Sequence, residues 1–335
     1  MDPLTHGLAS LAMQRGFFPR TPWRGVLVII AAGTIADMDS FSSSFGPSAY
    51  LRWHRTATHS LSFVIVFTLA AFLFSRIPFG TKPNAPSAEF SWIAVAFASS
   101  LHIVMDLLQA DTVAPLWPFS ARRFSCDISP AIDPWLLIIL AAAILFPELF
   151  RLVNDEITSR TKRPRGRTGA IAGLSFALIY FAARALFHGN AVAALEARTV
   201  SGEMPRRVGA FPDSASPFLW HCVVETESAL HLADLRSLGG GVAYASGITT
   251  LRKPEPSPML TAAQSSPAAI SFLKIARFPK AVVEKEAEGY SVEINDLKDR
   301  ATEEKNRSIF ASINLDNAAN VVSSGLQWQK SAGPP

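Results

Sequence analysis

Apolar positions cluster into long runs with hardly a formal charge: Gly25 to Ala36, Leu61 to Phe74, Trp92 to Leu108, Trp135 to Phe150 and Gly169 to Phe187. Each reads as a helix in a membrane or buried against one, although several fall short of the ~20 residues that span a bilayer comfortably. A further stretch, Leu4 to Phe18, is interrupted by His6, Gln14 and Arg15. It reads as a short membrane helix that turns at Pro19 to Pro22 into the next run, because proline breaks helix continuity and Arg20 and Arg24 favour water. The expectation is an α-helical membrane bundle of about five to six helices over residues 1–187. After Phe187 the pattern changes to short alternating runs, Leu219 to Glu225, Val242 to Thr250, Tyr290 to Ile294 and Ser308 to Leu315, punctuated by Pro and Gly. Residues 188–335 therefore read as a small β-rich domain outside the membrane, with Pro254 to Pro267 as a loop between two groups of strands.

Composition agrees with the membrane half. Hydrophobic residues make up 49% of the chain and charged ones 17%, and the mean hydropathy is +0.23. The N-terminus has no basic region before its first apolar stretch, so it reads as a retained helix rather than a cleaved signal. Basic residues set the expected orientation. Arg15, Arg20 and Arg24, then Arg76 and Lys82, then the run Arg151, Arg160, Lys162, Arg163, Arg165 and Arg167 fall on one side, which should be cytoplasmic. Arg52, Arg55, Arg122 and Arg123 fall on the other and weaken the bias without reversing it. The net charge of +4 is thus explained by lipid-facing loops, and no nucleic-acid partner is expected.

The polar exceptions sit at the ends of the apolar runs: His6, Asp37 and Asp39, His54 and His59, His102 and Asp106. A charged side chain at membrane depth costs roughly 2.5 to 3.5 kcal/mol on insertion scales, so it normally pairs, binds an ion or lines a polar cavity. The topology drawn above places all seven on the outer side, which points to a metal site at a membrane face. His102 and Asp106 are spaced to share one helix face. His54 and His59 would diverge on a helix, so His54 is expected in an incoming loop and His59 in a first turn capped by Ser60 or Thr58. Imidazole with carboxylate suits zinc, manganese or iron(II), with no sulfur to favour a structural zinc. Seven candidates are too many for one tetrahedral ion, so either two ions share the site or some residues brace others. Arg55 and Arg123 lie on the same face, where they could receive a phosphate or contact lipid headgroups. Trp117, Pro118 and Phe119 read as an interfacial anchor.

Other residues carry weaker signals. His188, His221 and His231 lie outside the cluster and read as surface or packing residues. Asp133, before Pro134, reads as a helix N-cap. Cys126 and Cys222 both fall on the expected outer side, where a bridge between them stays open. No serine elbow, Walker loop or dinucleotide fingerprint occurs. Intramembrane His and Asp also build ion pathways, so transport, or regulation through a protein partner, is the competing class. A pathway should carry polar residues through the bilayer depth, and here they stop near one face.

The segments DPLTHGL (2–8), GTIADMD (33–39), HRTATHS (54–60), HIVMDLL (102–108), LWPFSARRF (116–124) and IDPW (132–135) resemble, in order and spacing, the membrane-bound metal-dependent hydrolase family, also described as LexA-binding, inner-membrane-associated hydrolases. The outer segments SPFLWHCVVE and RFPKAVVEKEAEGYSVEINDLKDR are similar to the tail of many members. One position departs: Ala36 stands where members usually have Pro. The resemblance implies a multi-pass protein of the bacterial inner membrane, acting on a phosphoester or lipid-linked substrate at the outer face with one or two divalent ions, zinc or manganese. His6, Asp37, His54, His59, His102 and Asp106 would then be ligands, Asp39 a general base or a brace for a ligand, and Arg55 the phosphate-receiving group. A more distant similarity to helical zinc phospholipases C points the same way. Membrane lipid is the expected surrounding, and the family label implies a protein partner.

Overall fold

A computed structural model describes residues 1–75, 89–154, 166–238, 241–301 and 308–329. The basic residues Arg76, Lys82, Arg160, Lys162, Arg163 and Arg165, on which the orientation expectation leaned, lie outside them. The chain forms two units, one of Met1–Phe41 with Trp53–Arg184, the other of Ser42–Arg52 with Ala185–Pro335.

The first unit is helical. Asp2 caps α1 (Pro3–Phe17) by accepting from the Thr5 amide, and Pro3 sits in the first turn, where its missing N–H is harmless. After the Pro19–Pro22 turn come α2 (Trp23–Ala32) and a 3₁₀ segment (Ile35–Phe45), then α3 (Pro47–Trp53), α4 (Leu61–Ser75), α5 (Glu89–Leu107), α6 (Pro134–Asn154) and α7 (Arg167–Glu196). Met13, Ile29, Ala32, Ala94, Val95 and Ala98 form one core, and Ala9, Ala12, Met105, Leu136, Leu140 and Ala170 belong to another. Small residues let the backbones close up. A Cβ on Gly173 would stand 2.1 Å from the Ala143 Cβ, so α7 can approach α6 only with glycine there.

Helix length corrects the expected bundle of five to six membrane helices. Among the described residues, one helix, Arg167–Glu196, is long and apolar enough to cross a membrane. The pair Trp23–Ala32 and Ile35–Phe45, bent by 46°, would add a second if counted as one span. Leu61–Leu73, Trp92–Leu107 and Pro134–Phe150 are apolar but short: at ~1.5 Å per residue these apolar stretches extend about 20 to 26 Å, against a hydrocarbon core of ~30 Å. Hydropathy registers apolar composition whatever the length of the helix that carries it, and among these helices α4 begins and α5 ends beside a polar cluster. Large apolar side chains nevertheless face outward along them, including Ile65 and Val66 on α4, Ile138 and Phe146 on α6, and Leu178 and Ile179 on α7.

The second unit is antiparallel β structure. Strands β1 (Arg207–Pro212), β2 (Leu219–Glu225), β3 (Ala229–Leu238) and β4 (Gly241–Tyr244) run in order, with β5 (Thr249–Arg252) also pairing β3. Strands β6 (Pro279–Glu286), β7 (Gly289–Asp296), β8 (Ile309–Leu315) and β9 (Val321–Trp328) form a separate meander. The expected loop Pro254–Pro267 instead holds α8 (Pro258–Gln264) and leads into α9 (Pro267–Leu273), each capped by a serine, Ser257 or Ser266, before its proline. A last short helix, α10 (Leu297–Ala301), follows β7. The end of α7 belongs here, since Ala191 and Leu195 pack with Trp220, Val224 and Leu235.

Tyr50 and Leu51 of α3 also belong to this unit. They pack against the β6–β9 core beside Met259 and Trp328.

Candidate metal centre

Four segments of the helical unit bring polar side chains to one buried place. The end of α2 and the 3₁₀ turn carry Asp37 and Asp39, the turn before α4 carries His59, the last turns of α5 carry His102 and Asp106, and α1 carries His6. Local rules account for their placement. Ser60 accepts from the Phe63 amide at 3.1 Å, ending the loop and starting α4 directly after His59. Gly33 ends α2, and a Cβ there would lie 1.9 Å from the Ser10 hydroxyl of α1. The same glycine's carbonyl accepts from His102 Nδ1 at 2.8 Å.

Inward-facing atoms converge. His59 Nε2 lies 3.2 Å from His102 Nε2, 2.9 Å from Asp106 Oδ2 and 3.7 Å from Asp37 Oδ1. His102 Nε2 lies 3.7 Å from both Asp37 Oδ1 and Asp106 Oδ2. Tetrahedral ligands held at ~2.0–2.1 Å from a zinc ion stand roughly 3.3 Å apart, so these edges suit one ion. The other oxygen of Asp106 faces a different set: His6 Nε2 at 3.0 Å, the Gln109 side-chain amide at 2.7 Å and the Met1 amino group. His6, Asp37, His102 and Asp106 also offer ligand atoms within 4.8 Å of one another. Asp106 thus joins two overlapping donor sets through its two oxygens.

The outward-facing atoms are braced. His59 Nδ1 meets Asp39 Oδ2 at 2.9 Å, as His102 Nδ1 meets the Gly33 carbonyl. His102 Nδ1 hydrogen-bonds its brace, and His59 Nδ1 has the Thr58 hydroxyl at 3.1 Å beside Asp39; with the hydrogen on each Nδ1, both Nε2 atoms present lone pairs. Two lone pairs 3.2 Å apart repel unless a proton or a cation lies between them. Asp106 Oδ2, Asp37 Oδ2 and His6 Nδ1 are buried without hydrogen-bond partners, and the 2.9 Å approach of Asp106 Oδ2 to His59 lacks hydrogen-bond geometry. Burial alone lowers the His59 pKa, but the carboxylates of Asp106, Asp37 and Asp39 outweigh it and carry it up to about 10. The two facing imidazole nitrogens and the unpartnered oxygens of Asp37 and Asp106 fit a divalent cation.

Asp39 stands behind this group. Its carboxylate accepts from His54 Nδ1 at 2.9 Å, the Arg55 amide at 2.8 Å and the Thr58 hydroxyl at 2.7 Å, besides His59. His54 therefore meets Asp39 rather than the converging atoms, and its ring centroid is 6.4 Å from that of His59. Burial is the largest influence on the His54 pKa and lowers it, against the Asp39 contact. Arg55 adopts φ 54°, a left-handed backbone that costs a residue other than glycine about 1–2 kcal/mol. Its guanidinium gives a 2.8 Å bond to Gln109 Oε1, whose amide holds Asp106. Arg123 spends donors on the Thr112 and His54 carbonyls and the Thr56 hydroxyl, tying the two loops together. Asp133 caps α6 through the Leu136 amide and accepts from Tyr180.

Sequence reasoning did not single out Gln109 or the Gly33 carbonyl, and it named Thr58 as a helix cap. A neutral amide gives no charge signal. Its one clue was the position three residues after Asp106, a spacing that puts two side chains side by side on a helix. Cys126 is exposed and Cys222 buried, and both are free thiols. Burial pushes the Cys222 thiol up.

Residues 1–191 match the family model described as YdjM inner membrane protein, and the chain belongs to that family. Every converging residue lies inside the matched region. A curated relative, the uncharacterized protein YfhP of Bacillus subtilis (strain 168), is 26% identical over 154 residues, covering 43% of this chain and 45% of the relative. The chain thus matches under half of that relative's length. No solved structure matches.

Proposed function

We propose that this member of the YdjM inner membrane protein family is a membrane-bound, metal-dependent hydrolase acting on a phosphoester, with a lipid-linked ester as the favoured substrate. The observation that carries the reading is the pair of imidazole nitrogens 3.2 Å apart, each braced from behind, with Asp37 and Asp106 closing the same small volume. His59, His102, Asp37 and Asp106 would hold zinc or manganese, and His6 with the far oxygen of Asp106 would take a second ion if one binds. A divalent cation there supplies Lewis acidity and lowers the pKa of a bound water from ~15.7 toward ~7.

The chain's own residues do the rest. Asp39, beside His59 Nδ1 at 2.9 Å, favours the tautomer that presents Nε2, and three donors, His54 Nδ1, the Arg55 amide and the Thr58 hydroxyl, hold its own carboxylate in place. This makes it a brace rather than a free base. Arg55, held through Gln109 beside Asp106, supplies a fixed positive charge suited to a phosphate oxygen. A lipid-linked substrate is favoured because the loop bonded to this region, through Leu61 N to the Pro115 carbonyl and Ala114 N to the Arg55 carbonyl, carries Leu116 and Phe119, the latter 91% exposed. Anchorage in the inner membrane falls to α7, with the bent α2 and 3₁₀ pair as a second pass.

Metal content of the detergent-purified protein, followed by a panel of phosphomonoester, phosphodiester and phospholipid substrates, tests this. One or two zinc or manganese ions per chain are expected, with phosphoester hydrolysis that a chelator abolishes and the ion restores. Protein that takes up no divalent ion, or hydrolysis indifferent to the chelator, would overturn the reading.

A further inference from the structure

Arg55 shares its edge of the site with a carboxylate. Its Nη2 donates to Gln109 Oε1 at 2.8 Å, and its Nη1 faces Asp111 Oδ2 at 3.9 Å. The Arg55 side chain is 8% exposed and that of Asp111 25%, so Asp111 is the solvent-facing member of the pair. The loop that carries it is tied down beside Arg55. The Ala114 amide donates to the Arg55 carbonyl at 3.1 Å, Arg123 Nη1 donates to the Thr112 carbonyl at 3.1 Å, and Val113 and Phe124 exchange backbone bonds at 2.9 and 2.8 Å. Arg55, Gln109 and Asp111 all belong to the helical unit.

A phosphate that reaches the Arg55 guanidinium from solvent thus comes close to a fixed negative charge. The guanidinium attracts it and Asp111 repels it, and the repulsion grows with the charge that the phosphate carries. A phosphodiester is a monoanion, whereas a phosphomonoester well above its second pKa of ~6 is a dianion. At the high effective dielectric of a protein edge, one further negative charge beside a carboxylate weakens binding by roughly 3- to 10-fold. We propose, resting on the hydrolase reading above, that Asp111 sets the charge of the phosphoester the site accepts: it turns dianionic monoesters away and admits monoanionic diesters. An ester whose phosphate joins a lipid to a second group belongs to the admitted class. Asp111 does this from the rim, apart from the atoms of His59, His102, Asp37 and Asp106 that converge on the ion.

The test is hydrolysis by the zinc-loaded full chain in detergent at pH 9, with two pairs of esters. One pair is p-nitrophenyl phosphate and bis(p-nitrophenyl) phosphate, the other phosphatidate and phosphatidylglycerol; the first of each pair is a dianion and the second a monoanion. In Asp111→Asn, kcat/KM should rise about 3- to 10-fold more for the dianion than for the monoanion, through KM and at unchanged zinc stoichiometry. Asp111→Glu, which restores the charge, should keep the wild-type preference. Asp111→Ala should shift it as Asn does, which covers the case in which one variant fails to fold. The wild-type preference in the folded Asn and Ala variants overturns the charge filter and leaves the hydrolase reading standing. Zinc-loaded wild type that hydrolyses none of the four esters overturns the hydrolase reading and the filter with it.

Discussion

Both units bury histidines, and they treat them differently. In the β-rich unit His231 lies between Thr250 at 2.9 Å and Thr226 at 3.3 Å, and His221 between Asp234 at 2.7 Å and Asp213 at 3.1 Å. Each of those rings has a partner for both nitrogens and is complete. In the helical unit, His59 and His102 each have one braced nitrogen and one aimed at the other. Burial by itself therefore says little about a histidine's role. What separates His221 and His231 from His59 and His102 is whether the second nitrogen is answered by a hydroxyl or carboxylate or by the other imidazole.

The largest effect should follow from removing an inward nitrogen. His59→Ala and His102→Ala should each lower zinc affinity 100-fold or more, since each deletes a ligand, while His231→Ala leaves it unchanged. Competition titration of the three proteins checks this, and full occupancy in both ligand variants would erase the contrast between the units. Removing a brace comes next. Asp39→Asn keeps the shape but loses the charge facing Nδ1 of His59, and zinc affinity should fall about 10- to 100-fold, as such outer partners typically cost. Steric pressure on the second brace is weaker. Gly33→Ala pushes a methyl group against Ser10 and should destabilise the helical unit by about 1–3 kcal/mol, read as earlier thermal unfolding with little effect on the β-rich unit.

The smallest effect belongs to the completed rings. Burial lowers the His221 pKa, but Asp234 and Asp213 outweigh it and raise the value above the usual one. A raised folded-state pKa stabilises fully below the unfolded value of ~6.5, and that stabilisation is lost as pH climbs through the folded value. The β-rich unit should therefore be less stable at pH 9 than at pH 6 by about 0.5 kcal/mol given solvent screening, and unfold at a slightly lower temperature. His221→Gln should remove that slope, which calorimetry at the two pH values would detect.

Parts of this contrast were legible in the chain. The spacing of His102 and Asp106 placed both on one helix face, and the spacing of His54 and His59 separated a loop residue from one at a helix start. Strand β2 could be read to its ends from Leu219 to Glu225, whereas β9, with the polar Ser323, Ser324 and Gln327, gave no alternation to find. Membrane crossing was overread because apolar composition does not record where a helix stops. Gln109 was silent because a neutral amide looks the same in solvent and in a buried relay. The transfer of Ser42–Arg52 to the other unit could not be read at all, since the surface that receives Tyr50 is built from residues far along the chain.

That distance has a consequence in time. Every side chain that converges on the centre, from His6 to Asp106, leaves the ribosome before any strand of the β-rich unit exists, and Trp328 ends the last of those strands. At ~5–20 residues per second, Tyr50 waits roughly 15 to 55 seconds for its ring partner. Throughout that interval the segment between Asp39 and His54 has no sheet to rest on, and Tyr50 stays without its ring partner until the last strand is made.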